Sequence, residues 1–145
     1  MIMSSNSICS IKHLNHVCIA VNNIEETLNF YSKLFGTKNT KVIEIKSHAV
    51  RAALVKIGTS QLEFIQPTDT VSGVAKFLKH KGEGMHHICF EVQNLKDKLH
   101  ELEKSGIDLI DKIPTKGLSG EVAFLHPHST RGVLIELVDE QSVRK

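Results

Sequence analysis

The chain contains two related halves, and this internal repeat constrains its fold more than any other feature of the sequence. The segment LNHVCIAVNNIEETL, which begins at Leu14, aligns with MHHICFEVQNLKDKL, which begins at Met85. In this alignment His16 falls on His87, and apolar residues fall on apolar residues along most of the segment. A repeat of this kind usually corresponds to one supersecondary unit that packs against its own copy.

A second match follows later in each half. QLEFIQ at 61–66 aligns with LIELVD at 134–139, so that Glu63 falls on Glu136. The two matches are collinear and nearly equally separated, which indicates a duplicated unit. We therefore predict a single domain over residues 1–145, with repeat 1 at about 12–67, repeat 2 at about 84–139 and a linker at 68–83.

Each half shows the same predicted order of strand, helix and three further strands. The first strand alternates, so that His16, Cys18 and Ala20 share one of its faces. Asn23 and Asn94 are the predicted N-caps of the helices that follow. The later strands are predicted near 41–46, 50–57 and 61–66 in the first half, and near 108–113, 121–126 and 133–138 in the second.

The helix of the first half has one apolar stripe. Its large apolar residues recur at helical spacing and are predicted to be buried together, and Gly36 is predicted to follow the helix end. The linker is predicted to carry one short helix. The stripe consists of Ile24, Leu28, Tyr31 and Phe35, and its counterpart in the helix of the second half consists of Leu95, Leu99 and Leu102.

Composition excludes several functional classes. The formal net charge of +2 and an aromatic content of 5% are too low to indicate a nucleic-acid interface. No apolar run is long enough for a membrane span, and the start lacks the pattern of a secretion signal, so we expect a cytoplasmic protein without a membrane partner. Three cysteines without a C-x-x-C pair favour a reducing compartment over a disulfide framework.

The repeat pairs one histidine with one glutamate in each half. Taken singly, His16 or His87 is better explained as a structural histidine, and each glutamate could simply face solvent on a half-exposed strand. Glu63 and Glu136, however, stand between apolar neighbours, where an unpaired buried charge would be costly. Two equivalent pairs of imidazole and carboxylate favour one site for a borderline divalent ion such as cobalt, zinc, nickel or manganese.

The residues quoted above resemble the vicinal-oxygen-chelate superfamily, and within it the methylmalonyl-CoA epimerase family. The resemblance runs from about residue 14 to 138, and its most specific stretches are HVCIAVNNIEETLNFYSKLFG, LEFIQPT, VAKFLKHKGEGMHHICFEV and VAFLHPHSTRGVLIELV. It implies an α+β fold in which two βαβββ modules form one eight-stranded, open, cup-shaped mixed sheet around the metal. It also implies an isomerase that binds one divalent metal ion per chain.

The resemblance further implies roles for individual residues. The metal ligands would be His16, Glu63, His87 and Glu136, although many relatives have glutamine in place of Glu63. The activity would be interconversion of the epimers of methylmalonyl-CoA at C2 through a metal-stabilised enolate, with Glu136 as one acid/base group. Some family members carry the second group at the position of Ala52. Glu44 is the nearest predicted substitute, with His48 or a bound water as alternatives.

The resemblance also implies contacts with an acyl-CoA substrate and a homodimer. The predicted substrate-binding residues are Lys76, Ser119, Gly120 and Arg131, because coenzyme A is anionic and the GLSG loop is similar to a family loop that borders the substrate. Two other functions remain open at this point. One is a lactoylglutathione lyase of the glyoxalase I type, which uses a similar set of ligands, and the other is a non-enzymatic, small-molecule-binding resistance protein.

Overall fold

The computed structural model describes residues 7–143. Over these residues the chain forms the element order βαβββ twice, with one further helix between the two modules. The predicted α+β fold of two βαβββ modules with eight strands is therefore confirmed. The elements are β1 (Ile11–Ala20), α1 (Ile24–Phe35), β2 (Ile43–Ile45), β3 (Val50–Ile57), β4 (Ser60–Pro67), α2 (Gly73–Lys81), β5 (Gly84–Val92), α3 (Leu95–Lys104), β6 (Thr115–Lys116), β7 (Glu121–Leu125) and β8 (Ile135–Asp139).

The strands are hydrogen-bonded in the order β2-β3-β4-β1-β5-β8-β7-β6. In each module the first strand runs parallel to the last, whereas the other neighbours are antiparallel, so the sheet is mixed. The repeat extends to the register. Cys18 pairs with Glu63 in the first module, and Cys89 pairs with Glu136 in the second. By its internal contacts the described part of the chain divides into two compact units, residues 15–87 and residues 7–14 with 88–143.

In the unit of residues 15–87, one sheet face packs on α1. Phe64 and Val55 are almost fully buried and contact Ile24 and Leu28 of the helix in one apolar cluster. Burial of side chains of this size contributes about 1.5–3 kcal/mol each, which is how the cluster fixes α1 on the sheet. The predicted stripe is wrong at its end, because the Phe35 side chain is 68% exposed where the helix terminates at the left-handed Gly36.

In the other unit, α3 packs on the second module in a corresponding way. Leu95, Leu99 and Leu102 of the helix are buried in a cluster with Leu125 and Leu137 of the two strands β7 and β8. The helical periodicity of these leucines therefore predicts their burial correctly.

The two helices begin differently at the predicted caps. Asn23 accepts a hydrogen bond from the Glu26 backbone N–H at 3.0 Å, as predicted. Asn94 does not cap α3 in this way. Its backbone is left-handed, with φ of 54°, and its side chain makes no capping hydrogen bond. A positive φ is tolerated by asparagine better than by most residues, so the backbone conformation explains this asparagine.

A second contact anchors both helices to the final strand of their module. The Ile24 backbone N–H donates to the Gln66 side-chain oxygen at 2.9 Å, and the Leu95 backbone N–H donates to the Asp139 carboxylate at 3.1 Å. Gln66 and Asp139 each lie three residues beyond the predicted ligand glutamate of their strand. Each helix start is therefore tied to the strand that carries a predicted metal ligand.

The strand predicted at 108–113 is the main error in the second module. Leu109 forms only an isolated bridge with Leu125, and the short β6 lies further along the chain. The Asp111 carboxylate instead accepts the Phe124 backbone N–H at 2.8 Å, so a side chain satisfies a group that a neighbouring strand would otherwise have paired.

The predicted linker helix is α2, whose start is capped by Ser72 and preceded by a turn that Asp69 holds. The Ser72 hydroxyl accepts the Ala75 backbone N–H, and the Asp69 carboxylate accepts the backbone N–H groups of Val71 and Ser72. Hydrogen bonds from Ser72 lower the pKa of the Asp69 carboxyl below its usual value. Among the described residues there is no helix with both the length and the apolar character needed to cross a membrane.

The two helix starts provide a matched test of the capping contacts. We expect Asn23→Ala to lower the free energy of unfolding by about 1 kcal/mol, because the Glu26 N–H loses its acceptor. We expect Asn94→Gly to leave it unchanged or slightly raised, since glycine suits the left-handed backbone. Urea unfolding followed by far-UV circular dichroism measures both values. A loss of similar size in both variants would contradict the assignment.

Candidate metal centre

Sheet register places His16 and Glu63 on one face. Paired residues of a parallel ladder project to the same side, and Cys18 pairs with Glu63. His16 precedes Cys18 by two positions in β1 and so shares that face. Both side chains are buried, with 0% exposure for His16 and 6% for Glu63. The sequence-based prediction of an inward histidine and glutamate in this module agrees with their positions.

Three of the four predicted ligands meet within the unit of residues 15–87. The Nε2 atoms of His16 and His87 are 3.4 Å apart, and Glu63 Oε1 lies 3.5 Å from the first and 3.7 Å from the second. Ligands held about 2.1 Å from one zinc ion in tetrahedral geometry stand about 3.4 Å apart. The three donor atoms therefore have the mutual spacing of ligands around a single ion.

The chemistry of these donors also fits a divalent cation. Two imidazole nitrogens and one carboxylate oxygen converge from side chains that are at most 6% exposed. Such a set suits zinc, cobalt, nickel or manganese, while calcium and magnesium prefer oxygen ligands. The carboxylate would offset part of the ion's charge in a site with little solvent. We conclude that the residues present can hold the metal that the sequence predicts.

Each of the two imidazoles has a polar neighbour at its other nitrogen. His16 Nδ1 lies 2.7 Å from Asn15 Oδ1, and His87 Nδ1 lies 2.9 Å from His86 Nδ1. Strand alternation predicts that His86 projects to the face opposite His87 and is a hydrogen-bonded structural histidine rather than a ligand. That its partner would be the His87 ring was not predicted. The missed signal is the repeat itself, since Asn15 aligns with His86.

Glu136, the fourth predicted ligand, lies in the other unit at the corresponding position of its module. It is 5% exposed and pairs with Cys89 in the parallel ladder of β5 and β8. It therefore projects to the same sheet face as Cys89, and His87 precedes Cys89 by two positions in β5. Cys18 and Cys89 are both fully buried.

The register does not bring Glu44 to the sheet face that carries His16 and Glu63, which we call the ligand face. Leu54 pairs with Glu63, so these two side chains project to the same face of the sheet. Ala52 lies two positions before Leu54 in β3 and therefore shares that face. Glu44 pairs with Arg51 and therefore projects to the opposite face.

Two further observations agree with this placement of Glu44. Arg51, its cross-strand partner, donates to Glu25 of α1 at 2.9 Å, so this is the face on which the helix packs. Glu44 is also solvent-exposed. Its position is thus unsuited to the acid/base role predicted for it, because it projects to the face opposite Glu63 and is exposed, whereas Glu63 is buried. His48, the alternative, is half-buried in a short 3-10 helix between β2 and β3.

The predicted substrate-binding residues fall in different parts of the chain. Lys76 is exposed on α2, and Arg131 is exposed in the loop before β8 with a left-handed backbone. Ser119 and Gly120 are buried in the turn before β7, which the Gly117 N–H closes by donating to the Gly120 carbonyl at 2.8 Å.

Close packing explains why glycine occupies position 120. A Cβ atom there would lie 2.8 Å from the Ser142 carbonyl oxygen, and the φ of 145° is unfavourable for other residues.

Comparison with known proteins places this geometry in a family. The sequence profile of the glyoxalase/bleomycin resistance protein/dioxygenase superfamily matches residues 15–124, a range that contains His16, Glu63 and His87. The chain belongs to this superfamily. The members of this superfamily that are similar to the chain include methylmalonyl-CoA epimerases.

Several of these relatives match nearly the whole chain. Human mitochondrial methylmalonyl-CoA epimerase is 36% identical over 92% of this chain and 77% of its own length. An ethylmalonyl-CoA/methylmalonyl-CoA epimerase of Cereibacter sphaeroides is 32% identical over 88% of this chain and 97% of its own. A variant of Streptomyces coelicolor methylmalonyl-CoA epimerase, solved with 2-nitronate-propionyl-CoA, superposes with a TM-score of 0.87 at 30% identity, covering 94% and 99% of the two chains.

These findings confirm the predicted superfamily and the predicted likeness to methylmalonyl-CoA epimerase. The relatives are epimerases, which are isomerases, and the enzyme class predicted from the sequence agrees with theirs. A further structure, of a methylmalonyl-CoA epimerase in complex with methylmalonyl-CoA, superposes with a TM-score of 0.87 at 30% identity, covering 94% of this chain and 99% of its own.

Proposed function

We propose that this protein is a metal-dependent epimerase that interconverts (2R)- and (2S)-methylmalonyl-CoA. The observation that carries the proposal is the buried convergence of His16, Glu63 and His87 in a chain that resembles methylmalonyl-CoA epimerases over most of its length. The lyase alternative would use a similar set of ligands, and it is less well supported because the relatives reported above are epimerases. The resistance-protein alternative is less well supported for the same reason.

We further propose that Glu136 completes the ligand set. Its support is the exact correspondence of the two modules, in which Glu63 pairs with Cys18 and Glu136 pairs with Cys89. With four protein ligands, an ion that accepts six would keep two positions for a substrate. An open coordination position distinguishes catalytic sites from structural ones.

In this proposal the chain's own residues have separate tasks. A bound divalent ion would supply positive charge where negative charge develops on the thioester oxygen. His16, His87 and Glu63 hold that charge in place, and their burial excludes water that would weaken it. Glu136 removes or returns the C2 proton on one face of the substrate. Because Glu44 projects to the α1 face, the proton on the other face is assigned to a water molecule or to His48.

Recognition of coenzyme A is assigned to cationic and backbone groups outside the centre. Lys76 and Arg131 are exposed cations that can reach phosphate groups, and the Ser119–Gly120 turn offers backbone N–H groups to an anionic oxygen. The homodimer predicted from the resemblance stays a prediction, which the molar mass from light scattering would test.

The proposal is tested by supplying metal and substrate together. Protein purified without chelator should contain about one divalent ion per chain. It should exchange the C2 proton of methylmalonyl-CoA with deuterium in heavy water, and removal of the metal with a chelator should stop the exchange. Ethylmalonyl-CoA and the glutathione hemithioacetal serve as comparison substrates. Turnover of the hemithioacetal without exchange on either acyl-CoA would overturn the proposal.

A further inference from the structure

The predicted ligand histidines share a feature that the proposed function does not use. In each case the side chain of the preceding residue lies at hydrogen-bond distance from Nδ1, the ring nitrogen that is not directed at the proposed metal centre. Asn15 does so for His16 and His86 does so for His87, and both contacts are at hydrogen-bond distance. Asn15 and His86 are equivalent positions of the internal repeat. The same device therefore occurs twice, with two different side chains.

The contact to Asn15 fixes the tautomer of His16. The Asn15 side-chain oxygen is only an acceptor, so His16 Nδ1 must carry the hydrogen and donate it. The Nε2 atom then carries the lone pair and faces Glu63 and His87, which is the state that a metal ligand needs. Asn15 is itself 3% exposed and His16 is fully buried, so few other orientations are open to either side chain.

The contact to His86 can act on His87 in the same way. When His87 Nδ1 donates, the unprotonated Nδ1 of a neutral His86 is the acceptor, and His87 Nε2 is again left as the ligand atom. His86 is held from its other side by α2. Its ring packs edge-on against Phe77 with 5.0 Å between the ring centroids. The linker helix thereby takes part in orienting a ligand of the centre.

We infer that Asn15 and His86 are positioning residues that set the tautomer and ring orientation of His16 and His87 for metal binding. This inference rests on the proposed metal centre. It assigns to the linker helix a purpose beyond joining the two modules, since Phe77 of α2 restricts the imidazole of His86. It also assigns a purpose to the second histidine of the HH pair, which the proposed ligand set leaves out.

The test removes each acceptor and then restores it. We expect Asn15→Leu and His86→Leu to weaken binding of zinc or cobalt by about 10–100-fold, the usual effect of losing such a partner. Asn15→Asp and His86→Asn each retain an acceptor oxygen, and His86→Asn reproduces in the second module the arrangement of the first. We expect these two variants to bind within about threefold of the parent protein. Competition with a chromophoric chelator measures the affinities.

A second readout separates positioning from general stability. Nitrogen-15 NMR of the metal-free protein reports which ring nitrogen of each histidine carries the hydrogen. We expect His16 and His87 to be protonated at Nδ1 in the parent and in the two conservative variants, and mixed tautomers in the leucine variants. The conservative variants keep the experiment decisive where a leucine variant does not fold.

Cys18→Ala is the matched control. A ligand atom of Cys18 lies within 4.8 Å of those of His86 and His87, so these three residues could instead form a separate metal site. We expect Cys18→Ala to leave the affinity unchanged. A loss in Cys18→Ala equal to that in His86→Leu would overturn the inference in favour of direct ligation, as would unchanged affinity in both leucine variants. Absence of metal binding in the parent protein would overturn the proposed centre as well.

Discussion

Replacing His16 with alanine is expected to remove the bound metal and to abolish epimerase activity. His16 contributes one of three donor atoms that stand 3.4–3.7 Å apart. Because His16 is fully buried, a solvent-exposed side chain is not placed to substitute for it. Loss of a direct ligand should weaken affinity by more than the roughly 100-fold upper limit that is typical for a residue acting through a ligand. The metal content after gel filtration and the rate of C2 proton exchange measure the two effects.

His100→Ala is the control for this experiment. His100 is exposed on α3, and its replacement removes an imidazole without touching the three donors. We expect its metal content and exchange rate to equal those of the parent protein. If His16→Ala retained a full equivalent of metal with unchanged affinity, the assignment of these residues as a metal centre would be wrong.

Glu136→Gln should stop turnover, whereas Glu44→Gln should have almost no effect. Glutamine keeps an oxygen that can bind metal but cannot take up a proton at neutral pH, so the exchange rate should fall by about 10²–10⁴-fold. Glu44 is exposed, and its side chain projects to the α1 face of the sheet, opposite the ligand face. Rates of deuterium incorporation at C2, with metal content measured on the same samples, distinguish a lost base from a lost ion.

The exchange rates of Glu136→Gln and Glu44→Gln together show which of the two glutamates is an acid/base group. Small and equal losses in both would show that Glu136 is not an acid/base group. A large loss in Glu44→Gln alone would mean that the exposed edge strand β2 carries a catalytic residue, contrary to its register.

The fold was largely predictable because its signals are local and occur twice. Alternation in β1 placed His16 and Cys18 on one strand face, and helical spacing placed Leu95, Leu99 and Leu102 in the core. The errors arose where the backbone conformation or a side-chain contact departs from the local preference. Asn94 does not cap its helix, and its backbone is left-handed, with φ of 54°. The predicted strand at 108–113 is replaced by a side-chain contact from Asp111.

The sequence by itself determined the repeat, the identity of the predicted ligands and the family, because these depend on residue type and spacing. Only the tertiary structure decided that Glu44 projects away from Glu63, since strand register is set by pairing across the sheet and a shift of one residue reverses every side chain. It also decided that Asn15 and His86 contact the ligand rings. A hydrogen bond depends on distances of a few tenths of an ångström, and spacing along the chain does not fix such distances.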